Sequence, residues 1–223
     1  MKRFERARKP EEKELRRRAI LTAARELARE VGTIELSLNE LGRRSGVSKP
    51  NIYRYFESRE EILLRLFLAE LIDVVAEVEE WLLTCENDLR GVSLCLTRAF
   101  LSRKLFCQLL GMIASILEHN LSVEVIAACK LEMHALVAKI SASLARALPW
   151  LSVADASWVT QSIALYVAAL WPAANPSKNA AEVLARPEFL AMKPNAAKDL
   201  GRFIEVLLVG LHTQVKLASV GQA

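Results

Sequence analysis

Residues 46–64 read GVSKPNIYRYFESREEILL, and this stretch decides how the N-terminal part of the chain folds. Gly46 can adopt a positive φ just past a helix end at little steric cost, so a preceding helix is predicted to stop there. Ser48 is a residue type that caps helices, and Pro50 falls in a first helical turn, where its missing N–H is not needed. The stretch therefore predicts a glycine turn followed by a short helix through Tyr55.

Two helices are predicted upstream of this stretch. From residue 11 to residue 31 the apolar side chains recur with a 3.6-residue period, and Gly32 ends the run. A second helix is predicted from Ser37 to Gly46, because Glu40 follows Ser37 by three residues, which is the spacing of a capping box. The chain therefore enters the glycine turn from a helix and leaves it into another.

A fourth helix is predicted to begin at Ser58 and to continue to about Thr84. Glu61 lies three residues after Ser58, again at capping-box spacing, and the apolar face continues toward Trp81. Two short helices joined by a turn that contains glycine form the helix-turn-helix pattern, whose second helix enters a major groove of DNA. The pattern predicts DNA binding by the helix after Gly46.

The composition favours an all-α protein of one or two domains. The chain has 223 residues, of which 52% are hydrophobic and 25% charged, with only 8 Gly and 7 Pro, and this excludes disordered and collagen-like chains. Leu, Ala and Ile dominate its apolar residues, which favours helices over strands. The apolar stretches reach only about ten residues and no signal peptide is recognisable, so we expect a cytoplasmic protein.

The charge is unevenly distributed along the chain. Residues 1–65 carry 17 Lys or Arg against 11 Asp or Glu, whereas residues 66–223 carry 13 against 15. A basic N-terminal quarter on a nearly neutral body is typical of a polyanion-binding module joined to a second domain. The alternative is a solvated helical face with no such partner.

The motif in residues 46–64 resembles the signature of TetR-family transcriptional regulators, in which a recognition helix runs into a capped fourth helix. The resemblance covers about residues 15–67 as a motif and the rest only as architecture. It implies a three-helix DNA-binding domain over residues 1–67, joined by a long fourth helix to a helical ligand-sensing and dimerisation domain over residues 68–223. It also implies a homodimeric repressor that a small apolar ligand releases from a near-palindromic operator in duplex DNA.

Ten residues are predicted to contact DNA. Small or polar residues at the start of a recognition helix let base edges come within hydrogen-bond reach, and Lys49 and Asn51 are the predicted base readers. The resemblance implies that Tyr53 and Tyr55 bind phosphates, and Arg59 stands where the family usually has a lysine. The full set is Ser37, Asn39, Ser48, Lys49, Pro50, Asn51, Tyr53, Arg54, Tyr55 and Arg59.

The C-terminal part is predicted to hold a ligand pocket and a dimer interface. Helices near 100–118, 122–148 and 155–171 combine many apolar side chains with a few polar ones, as a pocket lining does. The predicted lining is Phe106, Gln108, Leu110, Met112, Met133, His134, Trp158 and Gln161. Wide apolar stripes on two helices predict a two-fold interface at Ile163, Val167, Leu170, Leu200, Phe203, Ile204, Leu207, Leu208 and Leu211. Close packing without a cavity is the alternative for the pocket.

Two other functions stay open from the sequence. One is a helix-turn-helix regulator that responds to a protein partner instead of a ligand, and the other is an all-α scaffold that does not bind DNA. An enzyme is not expected, since no nucleophile motif or phosphate loop is present, and neither a cofactor nor a metal site is predicted. The four cysteines form no C-x-x-C pair, so we expect small core side chains, with redox sensing as the alternative.

Overall fold

A computed structural model of the chain describes residues 10–33 and 36–220, and it confirms the all-α prediction, since no strand occurs within those ranges. A π-helical segment, Ile113–Leu117, and a 3-10 segment, Pro187–Met192, accompany the α-helices. The α-helices of the described residues are α1 (Pro10–Val31), α2 (Leu38–Ser45), α3 (Lys49–Ile52), α4 (Arg59–Leu82), α5 (Leu89–Leu101), α6 (Lys104–Leu110), α7 (Val123–Ala147), α8 (Val153–Ala174), α9 (Lys178–Leu184) and α10 (Ala196–Val220).

The turn between α2 and α3 depends on two glycines. Gly46 has a φ of 66°, the left-handed conformation that favours glycine, and this ends α2 as predicted. Gly42 allows the close approach, because a methyl group there would lie 2.9 Å from the carbonyl oxygen of Val47. The side chains of Val47, Ile52 and Phe56 then pack into the core beneath the turn. The outer side of α3 is left at the surface.

The sequence placed three local features incorrectly. α3 ends at Ile52, and the next three residues form a turn instead of continuing the helix through Tyr55. The side chains of Ser37 and Ser48 make no capping hydrogen bond. The capping box predicted for α2 does not form, because the carboxylate of Glu40 binds two arginines one turn further along its own helix.

The N-terminus of α4 forms as predicted. The backbone N–H of Glu61 donates to the hydroxyl of Ser58 at 3.2 Å, and the carboxylate of Glu61 accepts from the backbone N–H of Glu57 at 2.7 Å. The first bond satisfies one of the backbone donors that a helix start leaves unpaired, and the second pairs the N–H of the residue before the cap. This fixes the direction in which α4 leaves the DNA-binding part.

The C-terminal part is a bundle of helices around α4. α4 packs against α5, α6 and α7, while α10 packs against α5 and α8. Phe106 on α6 is central to this core, since its ring stacks on Phe67 of α4 at 5.4 Å and meets Phe100 of α5 edge-on at 6.0 Å. The aromatic contacts join three helices, so α4 connects the DNA-binding part directly to the bundle core.

Within the described residues, α8 is the one helix long and apolar enough to cross a membrane by length and composition. Core helices of proteins that never enter a membrane pass the same test, so the observation is weak evidence. α8 packs against α6, α7 and α10, which accounts for part of its apolar character.

Candidate DNA interface

α3 and the turn that follows it present an exposed polar surface. The side chains of Lys49, Asn51, Tyr53 and Arg54 are exposed, and none of them forms a hydrogen bond or ion pair with another described residue. Tyr53 is aromatic and still 51% exposed. Polar groups without partners among the described residues, on α3 and in the turn that follows it, are available to bind an external ligand.

The other predicted DNA contacts surround this surface. Tyr55 is half-buried, and its backbone carbonyl accepts a hydrogen bond from Arg17 at 3.0 Å. Arg59 is also half-buried and pairs with Glu60 at 3.2 Å. The remaining predicted contacts are exposed at the starts of α2 and α3: Ser37, Asn39, Ser48 and Pro50.

A cavity of about 230 Å³ brings three of these residues together with α1. Ser48, Asn51 and Tyr55 line it from the α3 side, while Glu12 and Arg16 line it from α1. Sequence analysis missed Arg16 as a site residue. The sequence feature that includes Arg16 is the run of three arginines at positions 16–18. Consecutive residues on a helix point to different faces, so the three arginines do not share one environment.

The two arginines of α2 are already engaged and do not add free charge to this surface. Arg43 and Arg44 both pair with Glu40, and these bonds, led by that from Arg43, lower the pKa of Glu40 to about 2. Arg44 also reaches Glu30 of α1 at 2.7 Å, and this bond lowers the pKa of the Glu30 carboxyl. The charges of α2 therefore tie α2 to α1.

Two polar contacts join the DNA-binding part to the bundle at its edge. The carboxylate of Glu57, in the turn before α4, accepts from the backbone N–H of Ser122 at 3.1 Å and from its hydroxyl at 2.7 Å. Ser122 is also the residue that caps α7. The hydroxyl of Thr33, just after α1, donates to the sulfur of Met112 at 3.2 Å. These contacts attach the start of α7 and the segment near residue 112 to the residues just before α4 and just after α1.

A third connection is a group of charges between α1, α4 and the start of α6. The carboxylate of Glu70 is fully buried, and its oxygens lie 3.0 Å from Arg25, 3.4 Å from Arg29 and 3.8 Å from Arg103. One Glu70 oxygen, Oε2, has no hydrogen-bond partner among the described residues. We call this group the Glu70 cluster: Arg25, Arg29, Glu70, Asp73, Glu77 and Arg103.

The residues predicted to line a ligand pocket are divided between the core and the surface. Phe106 is buried in the aromatic core, and Leu110, Met112 and Met133 are half-buried. The polar members and the tryptophan lie at the surface instead: Gln108, His134, Trp158 and Gln161. The apolar faces of these helices pack on each other, which leaves their polar residues outside.

Most of the residues predicted for the dimer interface face the interior of their own chain. Buried within this chain are Ile163, Val167, Leu170, Leu200, Ile204 and Leu208. The other three are half-buried at the edge of a groove between α8 and α10 of about 490 Å³: Phe203, Leu207 and Leu211. The widest apolar stripe of α8 and of α10 packs into the core of its own chain. The width of these stripes therefore does not require a partner copy.

The groove is flanked by exposed apolar residues that the sequence analysis did not assign to an interface. We call them the α8–α10 face: Trp158, Leu165, Val206, Val209 and Leu217. Each is a large apolar side chain that remains outside the core of its own chain. Their spacing along α8 and α10 could have indicated a second apolar side on each helix. The longer apolar stripe that packs into the core makes this second side difficult to recognise in the sequence.

The fold and the site together define a class of protein: an all-helical DNA-binding regulator with a helix-turn-helix at its N-terminus. The family model described as "Bacterial regulatory proteins, tetR family" matches residues 20–66, and the model "Tetracyclin repressor-like, C-terminal domain" matches residues 68–215. The chain belongs to the TetR family of transcriptional regulators.

Solved structures of the same fold agree with this assignment. A transcriptional regulator from Rhodococcus sp. RHA1 superposes with a TM-score of 0.61 at 16% identity, over 85% of this chain and 95% of that one. RolR in complex with resorcinol gives 0.58 at 16% identity, over 88% and 96%. FadR from Bacillus subtilis in complex with stearoyl-CoA gives 0.52 at 16% identity, over 85% and 96%. Comparison with curated protein sequences gives no match.

Proposed function

We propose that this regulator is a homodimeric repressor in the cytoplasm, released from a near-palindromic operator by a small apolar ligand. In this proposal residues 1–67 bind DNA, and residues 68–223 dimerise and sense the ligand. The observation that carries it is the exposed α3 surface, where Lys49, Asn51, Tyr53 and Arg54 have no partner among the described residues.

On the DNA, α3 enters the major groove with its first turn against the base edges. Lys49 suits the acceptors of guanine, and Asn51 suits adenine through paired hydrogen bonds. Tyr53 and Arg54 reach phosphate oxygens, which fixes the register of the helix without reading sequence. The link from Glu57 to Ser122 supports this orientation of α3 relative to the bundle.

The α8–α10 face supports the proposal of a two-fold dimer. Leu165 of α8 and Val206 of α10 are 74% and 64% exposed, and they lie on two helices that pack against each other. Packing α8 and α10 of two copies together removes this surface from water and pairs like residues across the axis. The two α3 helices are then expected about 34–36 Å apart, one turn of DNA.

The ligand part of the proposal is supported by two structures of the same fold that are complexes with small molecules, resorcinol and stearoyl-CoA. The half-buried apolar residues Leu110 and Met112 directly precede the π-helical segment, and like Met133 of α7 they pack against the core, where a ligand would enter by separating helices. Close packing of the same region favours the second candidate, a regulator controlled by a protein partner.

DNA recognition is tested by selecting operator sequences from a randomised duplex library and then titrating variants on them. We expect Asn51→Ala to cost about 1–3 kcal/mol and to relax preference at one base pair in each half-site. Tyr53→Phe is expected to weaken all sequences about equally, since it removes a phosphate contact. Lys139→Gln, an exposed cation on α7, is the control. Unchanged affinity and preference in both variants would make the α3 assignment wrong.

Ligand control is tested by thermal stabilisation of the purified protein against a library of apolar compounds, with operator DNA present and absent. A ligand that lowers operator affinity tenfold requires about 1.4 kcal/mol of coupling, and DNA must weaken that ligand equally. If no compound stabilises the protein or releases the operator, control by a protein partner becomes the better proposal.

A further inference from the structure

Two thiols lie side by side at the end of α4 that is remote from the helix-turn-helix. Cys85, in the turn between α4 and α5, and Cys95, in the second turn of α5, have their sulfur atoms 3.2 Å apart. Both sulfurs also lie near the carbonyl oxygen of Trp81, at 3.5 and 3.8 Å. The two cysteines are ten positions apart in the sequence, so they do not form a short cysteine motif.

We propose that Cys85 and Cys95 are a redox-modification site that closes into a reversible disulfide. A disulfide bond is about 2.05 Å long, so the sulfurs need to approach by only about 1 Å. The other two cysteines lack such a neighbour among the described residues. The thiol of Cys107 donates to the carbonyl of Phe100 at 3.0 Å, and Cys129 is buried beside Arg65.

The exposure of the two thiols assigns them different roles. Cys95 is half-exposed and meets the oxidant, whereas Cys85 is buried and acts as the resolving thiol. With a peroxide, the Cys95 thiolate attacks one oxygen, forming a sulfenic acid and releasing water or an alcohol. The sulfur of Cys85 then displaces the hydroxyl as a second water, forming the S–S bond. Two thiols are oxidised and one peroxide is reduced, and a small-molecule thiol reverses the change by exchange.

The surroundings make this reaction slow at neutral pH. Burial and the hydrogen bond between the Cys95 thiol and Cys85 raise the pKa of Cys95 to about 12, so little reactive thiolate is present. The closing rate is therefore expected to rise with pH through the alkaline range. A site of this kind responds to sustained oxidation and not to a brief pulse of peroxide.

The location gives the disulfide a structural consequence. α4 runs from the helix-turn-helix to Leu82, three residues before Cys85, while α5 is attached to α10 through a hydrogen bond from Ser93 to the carbonyl of Gly201 at 3.0 Å. Joining Cys85 to Cys95 therefore fixes the end of α4 to the helix that packs on α10. Because the thiols are already adjacent, oxidation favours this arrangement over any in which α4 moves away from α5.

The test uses the reduced full-length protein treated with hydrogen peroxide or glutathione disulfide at pH 7 and pH 9, followed by alkylation and tryptic mapping. Cleavage after Arg65, Arg90 and Arg98 places the two cysteines in separate peptides, 66–90 and 91–98. We expect a linked pair of these peptides, the loss of two alkylatable thiols and reversal by dithiothreitol. The linked form should unfold at a temperature several degrees higher, since the crosslink restricts the unfolded chain.

Variants separate this chemistry from general oxidation. Cys85→Ala and Cys95→Ala should each abolish the linked peptides and the rise in unfolding temperature, whereas Cys129→Ala should retain both. Sulfinic acid or a glutathione adduct at Cys95 without linkage overturns the proposal, and so does a crosslink between two chains through Cys95. The mapping involves no DNA, so its result is independent of the proposed repressor function.

Discussion

The helix-turn-helix surface and the α8–α10 face are both exposed, but they arise in opposite ways. On α3 the exposed residues are polar, and local signals around Gly46 place them. On α8 and α10 the exposed residues are apolar, and they are exposed only because the stronger stripe of each helix is taken by the core of the same chain. The residues around a local turn are therefore enough to predict a binding surface, whereas an apolar stripe alone is not enough to predict an interface.

The largest expected effect comes from charging the α8–α10 face. Leu165→Glu combined with Val206→Glu places unpaired carboxylates where the proposal buries apolar side chains. An uncompensated buried charge costs roughly 3–5 kcal/mol, which raises the dimer dissociation constant more than about a hundredfold. Sedimentation equilibrium should then show monomers that bind the operator poorly.

A matched control for this variant is available on α7. Leu131 is 73% exposed, against 74% for Leu165, and lies in the middle of a helix outside the α8–α10 face. Leu131→Glu should leave the dimer unchanged. If Leu131→Glu dissociates the dimer and the double variant does not, the interface lies on α7 and the comparison between the two surfaces fails.

An intermediate effect is expected from Gly42→Ala, which tests how strictly the local turn positions α3. The added methyl group would lie 2.9 Å from the carbonyl oxygen of Val47, and a backbone atom can move only if the turn moves. We expect a loss of about 1–3 kcal/mol in stability, as in overpacked cores, together with weaker operator binding. Gly201→Ala is the control, since its methyl group would meet only the hydroxyl of Thr97, at 3.5 Å. Equal operator affinity in both variants would show that α3 tolerates displacement.

The sequence predicted the DNA-binding part well because its determinants are close together in the chain. Gly46 ended α2 and Ser58 capped α4, and each needs only neighbours within four residues. The failures in this part also have local causes. The capping box of α2 was lost because Glu40 has arginines three and four residues ahead of it, which compete for its carboxylate.

The bundle was predicted less well because its residue assignments depend on which helices pack together. His134 and Gln161 were expected in a pocket, yet both are exposed, since the apolar sides of α7 and α8 pack on each other. Periodicity identifies an apolar side but does not say whether the same chain or another copy covers it. The Glu70 cluster joins α1, α4 and the start of α6. Its acidic residues share one face of α4 and two of its arginines share one face of α1, but this spacing does not say that the two faces meet.

The smallest expected effect concerns this cluster, which connects the two regions being compared. Glu70→Gln keeps the shape of a fully buried side chain and removes the charge that faces Arg25, Arg29 and Arg103. The three guanidinium groups are partly exposed, so water replaces part of the lost interaction. We therefore expect a loss of only about 1–2 kcal/mol in the free energy of unfolding, measured in urea.

Operator binding by the same variant tells whether the cluster or the apolar core holds the two regions together. If the charges hold α1 against α4, Glu70→Gln should weaken operator binding severalfold. Glu77→Gln should weaken it less, because Glu77 contacts only Arg103, at 2.8 Å, and the hydroxyl of Ser102, at 3.1 Å, among the described residues. If both variants bind the operator as tightly as the unmodified protein, the connection is assigned to the aromatic contacts of Phe67 and Phe106. If Glu70→Gln increased stability and left operator affinity unchanged, the Glu70 carboxylate would contribute nothing to the connection. Its desolvation would then cost more free energy than its ion pairs contribute.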